Sequence, residues 1–401
     1  MCDLRQAYYD ARRHKRRKPF QIAFEGDLEG NLSSLCDDLM SGTYKPQPST
    51  CFLIREPKIR EVFAAQFRDR IVHHLYYNYT HKLFERTFIA DSYSCIKGRG
   101  THNGIERLTR HIRQVSQNWQ EQCYVLKMDI RGYFMHIERQ RLLDIVMRNL
   151  IKMSKHKVSS NSSSVWADCI DIDFVGRLSR EIILLDPILD CKRIGEKKEW
   201  AELPKDKSLF HSPDNCGLPI GNLTSQLFSN VYLNELDQFV KRELKCRHYG
   251  RYVDDFFIVD SDRQWLRNKI PMIRDFLADN LGLELHEGKV RIYDAMRGVD
   301  FLGAFIKPFR NYVSNATLSR MEKKIKTLNR KNEGHHLQSR INSYLGILSH
   351  YASFRIQCDL FLPLKICFDS GSFVYDGKKL VWRDYSVSNR QYWICDESCG
   401  E

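Results

Sequence analysis

Apolar positions recur at helical spacing near the start of the chain. Leu28, Leu32, Leu35 and Leu39 predict a helical segment over residues 21–45, stopped by Pro46 and Pro48. From Cys51 to Phe63 the alternation is that of a strand hairpin, with Lys58 and Arg60 near its turn. Residues 67–87 return to helical spacing and are rich in aromatic side chains. Residues 123–130 (Cys-Tyr-Val-Leu-Lys-Met-Asp-Ile) predict an apolar strand that ends at a carboxylate. A Gly/Pro/Asn loop covers 217–224. The helix after it is expected to be capped by Thr224 or Ser225 and to bury Phe228, Tyr232, Leu236, Phe239 and Val240. Residues 249–260 read as a hairpin with an acidic turn, 299–306 as one short strand, and 316–365 as basic helices with Leu345, Leu348 and Tyr351 facing inward. Residues 152–164, rich in Lys and Ser, read as a mobile surface insertion. Strands and helices mixed in this way predict an α+β chain.

Composition narrows the class. Hydrophobic residues make up 42% of the 401 and charged residues 28%, as in an ordinary folded protein whose length calls for subdomains. The formal net charge is +13, which repels itself unless a polyanion offsets it. Nucleic acid is the commonest such partner, and the basic residues are spread along the chain as a long groove requires. Charge alone does not separate such a binder from a merely basic protein. The run Arg12-Arg13-His14-Lys15-Arg16-Arg17-Lys18 likewise reads as a solvated face or as a contact to backbone phosphates. The 13 cysteines are scattered without a C-x-x-C pair, and nothing completes a zinc set around Cys395 and Cys399. They are expected to be reduced, mostly buried thiols of a cytoplasmic protein. No signal peptide opens the chain and no apolar run is long enough to span a membrane, so no membrane partner is expected.

The chemistry concentrates in Arg251-Tyr252-Val253-Asp254-Asp255-Phe256-Phe257-Ile258-Val259. Two adjacent carboxylates between strand-forming runs repel each other, which weakens a plain turn and suits a divalent cation. Magnesium takes hard oxygen ligands, few of them from protein. Asp129, at the end of another strand, supplies a further carboxylate. Two ions about 4 Å apart would clamp the attacking and leaving oxygens of a phosphoryl transfer. Residues 95–104 add Gly98, Gly100 and Gly104 with Lys97 and Arg99 between them, a loop able to bring backbone close to phosphates.

These blocks resemble the reverse transcriptase family. Asp129-Ile-Arg-Gly-Tyr-Phe134 is similar to its first catalytic motif and Tyr252-Val-Asp-Asp255 to its second. Gly217-Leu-Pro-Ile-Gly-Asn-Leu-Thr-Ser-Gln226 stands in the place of its template- and nucleotide-positioning loop. Leu283-Glu-Leu-His-Glu-Gly-Lys289 resembles the next motif, and Val299-Asp-Phe-Leu-Gly303 the primer grip. The order is that of the family from about residue 50 to 310. Within the family, Ile220-Gly221 and Ser225-Gln226 replace the usual Gln-Gly and Ser-Pro. That variant is similar to reverse transcriptases of diversity-generating retroelements, as are Phe24–Leu32, Ile59–His74 and Ser343–Leu348.

The resemblance implies a right-hand polymerase: a basic extension (1–20), fingers (21–120), a palm with an antiparallel sheet (121–310, with an insertion at about 151–211), a helical thumb (311–365) and a C-terminal extension without an assigned role (366–401). It implies two Mg2+ ions, template RNA, a primer and its cDNA, dNTPs, and a small basic accessory protein in a prokaryotic or phage setting. The product would be error-prone cDNA, miscopied at adenines. The rivals are a group II intron or retron reverse transcriptase and a reverse-transcriptase-fold defence protein. Little room for a maturase region remains after residue 366, and the intact carboxylates speak against the defence protein.

Residue roles follow from the same resemblance. Asp129, Asp254 and Asp255 would bind metal, Asp255 least directly, with the carbonyl of Ile130 beside them. Lys289 would protonate the leaving pyrophosphate, or is a solvated strand-end lysine. Lys58 and Arg60 would grip the triphosphate, or are surface charges. Phe134 stands at the steric gate against a ribose 2′-hydroxyl and also reads as a core aromatic. Ile220, Gly221 and Gln226 would line the nucleotide site. Ile220 has no hydrogen-bonding group where the family has Gln, and so either relaxes fidelity or only packs. Phe301, Leu302 and Gly303 would form the primer grip. Lys97, Arg99, Lys323, Lys324, Lys326, Arg330 and Lys331 would touch nucleic-acid backbone. His73 and His74 read as packing or RNA contacts.

Overall fold

The computed structural model describes the chain except residues 14, 16, 57, 159–162, 331–333, 362–366, 369–370, 376–379 and 385–401. Side chains are also left undescribed at 328–338 and beyond 361. Arg330, Lys331 and the role of the tail therefore lie outside the described residues. The chain divides into two compact units, Met1–Asp294 and Ala295–Glu401.

In the first unit, α1 (Cys2–Arg12) was not foreseen as a helix. Leu4, Ala7, Tyr8 and Ala11 form its buried stripe. The predicted 21–45 helix is two helices, α2 (Pro19–Glu25) and α3 (Leu28–Ser41), with Leu32, Leu35 and Leu39 buried. The break falls where Asp27 turns to cap α3, its carboxylate accepting the Gly30 N–H at 3.1 Å. β1 (Thr50–Ile54) and β2 (Arg60–Ala64) form the expected antiparallel hairpin. α4 (Phe67–Glu85) follows and packs against α1. α5 (Thr101–Val115) leads to β3 (Tyr124–Asp129), a strand with Val125, Leu126 and Met128 buried.

Beyond β3 come α6 (Tyr133–His136), α7 (Arg139–Ser154), α8 (Trp166–Cys169), α9 (Ile172–Ile183), β4 (Lys192–Arg193) and α10 (Lys197–Ala201). Within the insertion expected at about 151–211 the described residues form α8 to α10 and β4, and residues 159–162 of the stretch expected to be mobile lie outside the described residues. α9 packs on α7, and β4 pairs parallel to β1, widening the hairpin to three strands. Glu61 of β2 is buried and accepts from Ser208 Oγ at 2.8 Å and from the Leu209 N–H. Its burial pushes the carboxyl pKa up.

α11 (Leu223–Gln238) is buried along most of its length. Its N-cap is Asn222, and no side chain caps it. Thr224, expected as the cap, instead places Oγ1 2.8 Å from His73 Nδ1. β5 (Tyr249–Tyr252), β6 (Asp255–Asp260), α12 (Arg263–Leu281) and β7 (Arg291–Asp294) complete the unit. The central sheet runs β5-β6-β3-β7, antiparallel throughout, with α12 packed on β6. It is the antiparallel palm sheet that the sequence predicts.

In the second unit, the predicted single strand at 299–306 is a hairpin, β8 (Val299–Phe301) and β9 (Ala304–Lys307), extended by β10 (Arg310–Val313). The intervening Leu302 and Gly303 have φ of 49° and 85°, as a two-residue type I′ turn requires. α13 (Asn315–Arg330), α14 (Gly334–Leu348) and α15 (Phe354–Phe361) follow, with Met321, Ile325, Leu345 and Leu348 buried. A small antiparallel sheet, β11 (Cys367–Phe368), β12 (Gly371–Tyr375) and β13 (Leu380–Asp384), ends the described structure. Among the described residues, no helix is long and apolar enough to cross a membrane. The ten cysteines whose side chains are described are free thiols, and against expectation only Cys51, Cys123 and Cys246 of them are buried.

Candidate active site

The β5–β6 hairpin closes with Tyr252 opposite Asp255, leaving Val253 and Asp254 as the loop. Val253 has a φ of 55°, where a β-branched side chain is strained. Asp129 ends β3 directly opposite Asp255, so both acidic termini meet at one end of the two inner strands of the sheet. The Ile130 N–H donates to the Asp254 carbonyl at 3.2 Å, which ties the loop to the end of β3.

Two lysines face this cluster. Lys289 Nζ is 2.8 Å from Asp129 Oδ1, and Lys127 Nζ is 3.2 Å from Asp255 Oδ2. Burial raises the Asp254 pKa to about 6, helped by the charge of Asp129 and opposed by Lys289 and Arg60. Burial likewise raises Asp255 to about 6, with Lys127 opposing. Asp255 Oδ1 is buried without a hydrogen-bond partner. The expected three-carboxylate set is not gathered as a ready cage: among the described residues no three His, Cys, Asp or Glu side chains stand together as metal ligands do. Like charges without a cation between them separate, and here lysines offset Asp129 and Asp255. Half-buried carboxylates that resist ionisation, one with an orphaned oxygen, are nevertheless donors that a hard divalent cation would satisfy.

Around the cluster, Arg60 begins β2 and is exposed, with its charge felt at Asp254. Lys58 is exposed in the β1–β2 connection. The loop before α11 docks on the same strand: the Phe63 N–H donates to the Ile220 carbonyl at 2.8 Å. The Ile220 side chain packs beside Cys51, Phe63, Met135 and Leu209. Gly221, with φ 125°, leaves no space for a side chain, since a Cβ would lie 2.6 Å from the Phe63 carbonyl. Gln226 is exposed on the first turns of α11. Phe134 is half-buried, its ring centroid 5.2 Å from that of Tyr133.

The sequence profile described as reverse transcriptase (RNA-dependent DNA polymerase) matches residues 55–306, from the β1–β2 connection through most of β9. The chain belongs to the reverse transcriptase family. Among curated proteins, this reverse transcriptase is 23% identical to Protein YkfC of Escherichia coli (strain K12) over 310 residues, 69% of this chain and 71% of YkfC. It is 22% identical to the group II intron-encoded protein LtrA of Lactococcus lactis subsp. cremoris over 374 residues, covering 76% of this chain and 54% of LtrA. Among solved structures, telomerase from Candida albicans in complex with a telomeric RNA fragment matches with a TM-score of 0.46 and 11% identity, over 80% of this chain and 57% of that one. The chain thus spans little more than half the length of LtrA and of that telomerase chain.

Reverse transcriptases use divalent metal ions, and Asp129, Asp254 and Asp255 supply the hard oxygen donors that such an ion takes, one of them, Asp255 Oδ1, without a hydrogen-bond partner. Other predicted residues are placed differently. Arg99 donates from Nη1 to the carbonyls of Ile89 and Ser92 at 2.9 and 2.8 Å, so this nitrogen staples its own loop. Lys97 is exposed. Burial lowers the pKa of His73 to about 4, and its ring is held by Thr224. In the second unit, Phe301 is buried, while Leu302 and Gly303 form the hairpin turn. Lys323 and Lys326 are exposed on α13, opposite its buried Met321 and Ile325, with Lys324 half-buried. Sequence reasoning missed Lys127, although its alternation with Asp129 on β3 places both on one face. It also missed Arg251 and Asp237, whose pairing no local pattern announces.

Proposed function

We propose that this reverse transcriptase extends a primer with deoxynucleotides on an RNA template using two magnesium ions, and that it serves a diversity-generating retroelement. The observation that supports the polymerase reading is that Asp129 ends β3 opposite Asp255, with Asp254 in the adjoining turn tied to the end of β3 by the Ile130 N–H, Lys289 against Asp129 and the Arg60 charge reaching Asp254. Metal held there would activate the primer 3′-hydroxyl and neutralise the departing pyrophosphate. Lys58 and Arg60 would hold the triphosphate, Lys289 would pass a proton to the leaving group, and Phe134 would reject ribonucleotides. Lys97, Lys323 and Lys324 would touch backbone phosphates.

The retroelement reading rests on Ile220. Its side chain packs into an apolar cluster and its carbonyl is taken by Phe63, so no side-chain hydrogen bond is available there to check an incoming nucleotide. One missing bond is worth roughly 1 kcal/mol, or several-fold in discrimination. The test copies an adenine-rich RNA with wild type and Ile220→Gln. Fewer errors opposite adenine in the variant support the reading, and equal error spectra contradict it. The likeness to LtrA favours a second reading, a group II intron-type enzyme. An enzyme as accurate at adenines as elsewhere would favour that alternative.

A further inference from the structure

Beneath the acidic turn lies a charge pair that the carboxylate chemistry does not use. Arg251 and Asp237 are both 0% exposed. Arg251 Nε and Nη2 donate to the two Asp237 oxygens at 2.8 and 2.7 Å, and the Tyr249 hydroxyl donates to Asp237 Oδ1 at 2.6 Å. Nη2 also reaches Ser92 Oγ at 3.3 Å. Nη1 donates to Asn230 Oδ1 at 3.3 Å and to the carbonyl of Val253 at 3.1 Å. Asn230 is itself fixed, its Nδ2 donating to the Ser94 carbonyl at 2.8 Å.

Apolar side chains of similar volume often replace such a pair without loss of stability, so stability is a weak reason for its presence. The turn above it supplies a stronger one. Val253, at φ 55°, occupies the first position of a two-residue loop, where glycine ordinarily stands. A strained β-branched residue persists only when its surroundings over-determine it. Here both loop carbonyls are held from below, Val253 by Arg251 and Asp254 by the Ile130 N–H.

We propose that Arg251–Asp237 is a positioning pair through which α11 holds the Val253–Asp254 peptide and aims the Asp254 and Asp255 carboxylates. The proposal rests on the turn being the reaction centre. α11 begins directly after the loop that docks on β2, so one rigid element steadies both the nucleotide loop and the turn.

Arg251→Lys keeps a charge opposite Asp237 but has no second arm for Val253. Arg251→Met with Asp237→Leu replaces the pair by apolar groups. Both are compared with wild type and Asp254→Asn in thermal unfolding, in primer extension with active enzyme counted from the burst, and in Mn2+ binding by electron paramagnetic resonance without nucleic acid. A positioning role predicts folded variants with dNTP KM within about threefold, kcat lower by about 100-fold, and weaker Mn2+ binding. A folded variant with wild-type kcat and Mn2+ affinity overturns the proposal, as does failure of both variants to fold, which makes the pair structural only. If wild type and Asp254→Asn are equally inactive, the reaction-centre reading fails by itself, and the pair then stands or falls on Mn2+ binding.

Discussion

Gly221→Ala is the sharpest probe of how the nucleotide loop is seated. At φ 125° any L-residue is strained, and the new Cβ would meet the Phe63 carbonyl at 2.6 Å and Val62 Cγ1 at 2.8 Å. The backbone strain is about 1–3 kcal/mol. The overlap adds about 1–3 kcal/mol, because a strand carbonyl cannot swing aside as a side chain can. Gly42→Ala separates the two effects: φ there is 77° and nothing lies within 4 Å, so it isolates a backbone cost of roughly 1 kcal/mol. At about 2–4 °C per kcal/mol, Gly221→Ala should lower the melting temperature by roughly 5–15 °C, against a few degrees for Gly42→Ala. Any loop that escapes the clash by lifting off β2 breaks the Phe63–Ile220 hydrogen bond and should raise the dNTP KM. The two assays are differential scanning fluorimetry and steady-state primer extension. Equal melting shifts for the two variants, with an unchanged KM for Gly221→Ala, would refute the seating described here.

Two further outcomes follow from the electrostatics. His73 is held neutral with its pKa near 4, by burial first and then by His74 and Arg70, against an ordinary value near 6.5. The unfolded chain takes up the proton first, so this group lowers stability as pH falls from about 6.5 towards 4, by up to roughly 3 kcal/mol, and has no effect above that window. Urea unfolding of wild type and His73→Gln at pH 7 and pH 5 should show a smaller loss for the variant. Lys289→Met removes the cation 2.8 Å from Asp129. Its kcat should fall by roughly 10²-fold with primer–template affinity unchanged, as measured by single-turnover extension and anisotropy.

The sheet and the acidic hairpin were legible because they rest on local alternation and on carboxylates at strand ends. The β1–β2 hairpin was read correctly for the same reason. Helix α1 was missed because the long basic run beside it masks a four-residue apolar stripe, Leu4, Ala7, Tyr8 and Ala11. The 21–45 helix was read as one because Asp27, the capping residue that divides it, sits between glycine and leucine without an apolar gap. Thr224 was mistaken for a cap because its partner, His73, is 151 positions away. Arg251 on Asp237 shares this character, being a contact of tertiary structure that no period in the sequence encodes, whereas the alternation of Lys127 with Asp129 does give its face and only its partner, Asp255, is hidden. For Arg99 the sequence shows the charge and not the two carbonyls to which its Nη1 donates.

The central claim is that the acidic end of the palm sheet joins deoxynucleotides on RNA. Wild type and Asp254→Asn should be compared side by side on a primed RNA of defined sequence, with Mg2+ and all four dNTPs, the products being sequenced. Complementary DNA from wild type and its loss by at least about 10³-fold in the variant is the predicted result. Template-directed product of equal yield from both proteins, or none from wild type under conditions where it binds the primed RNA, would contradict the account.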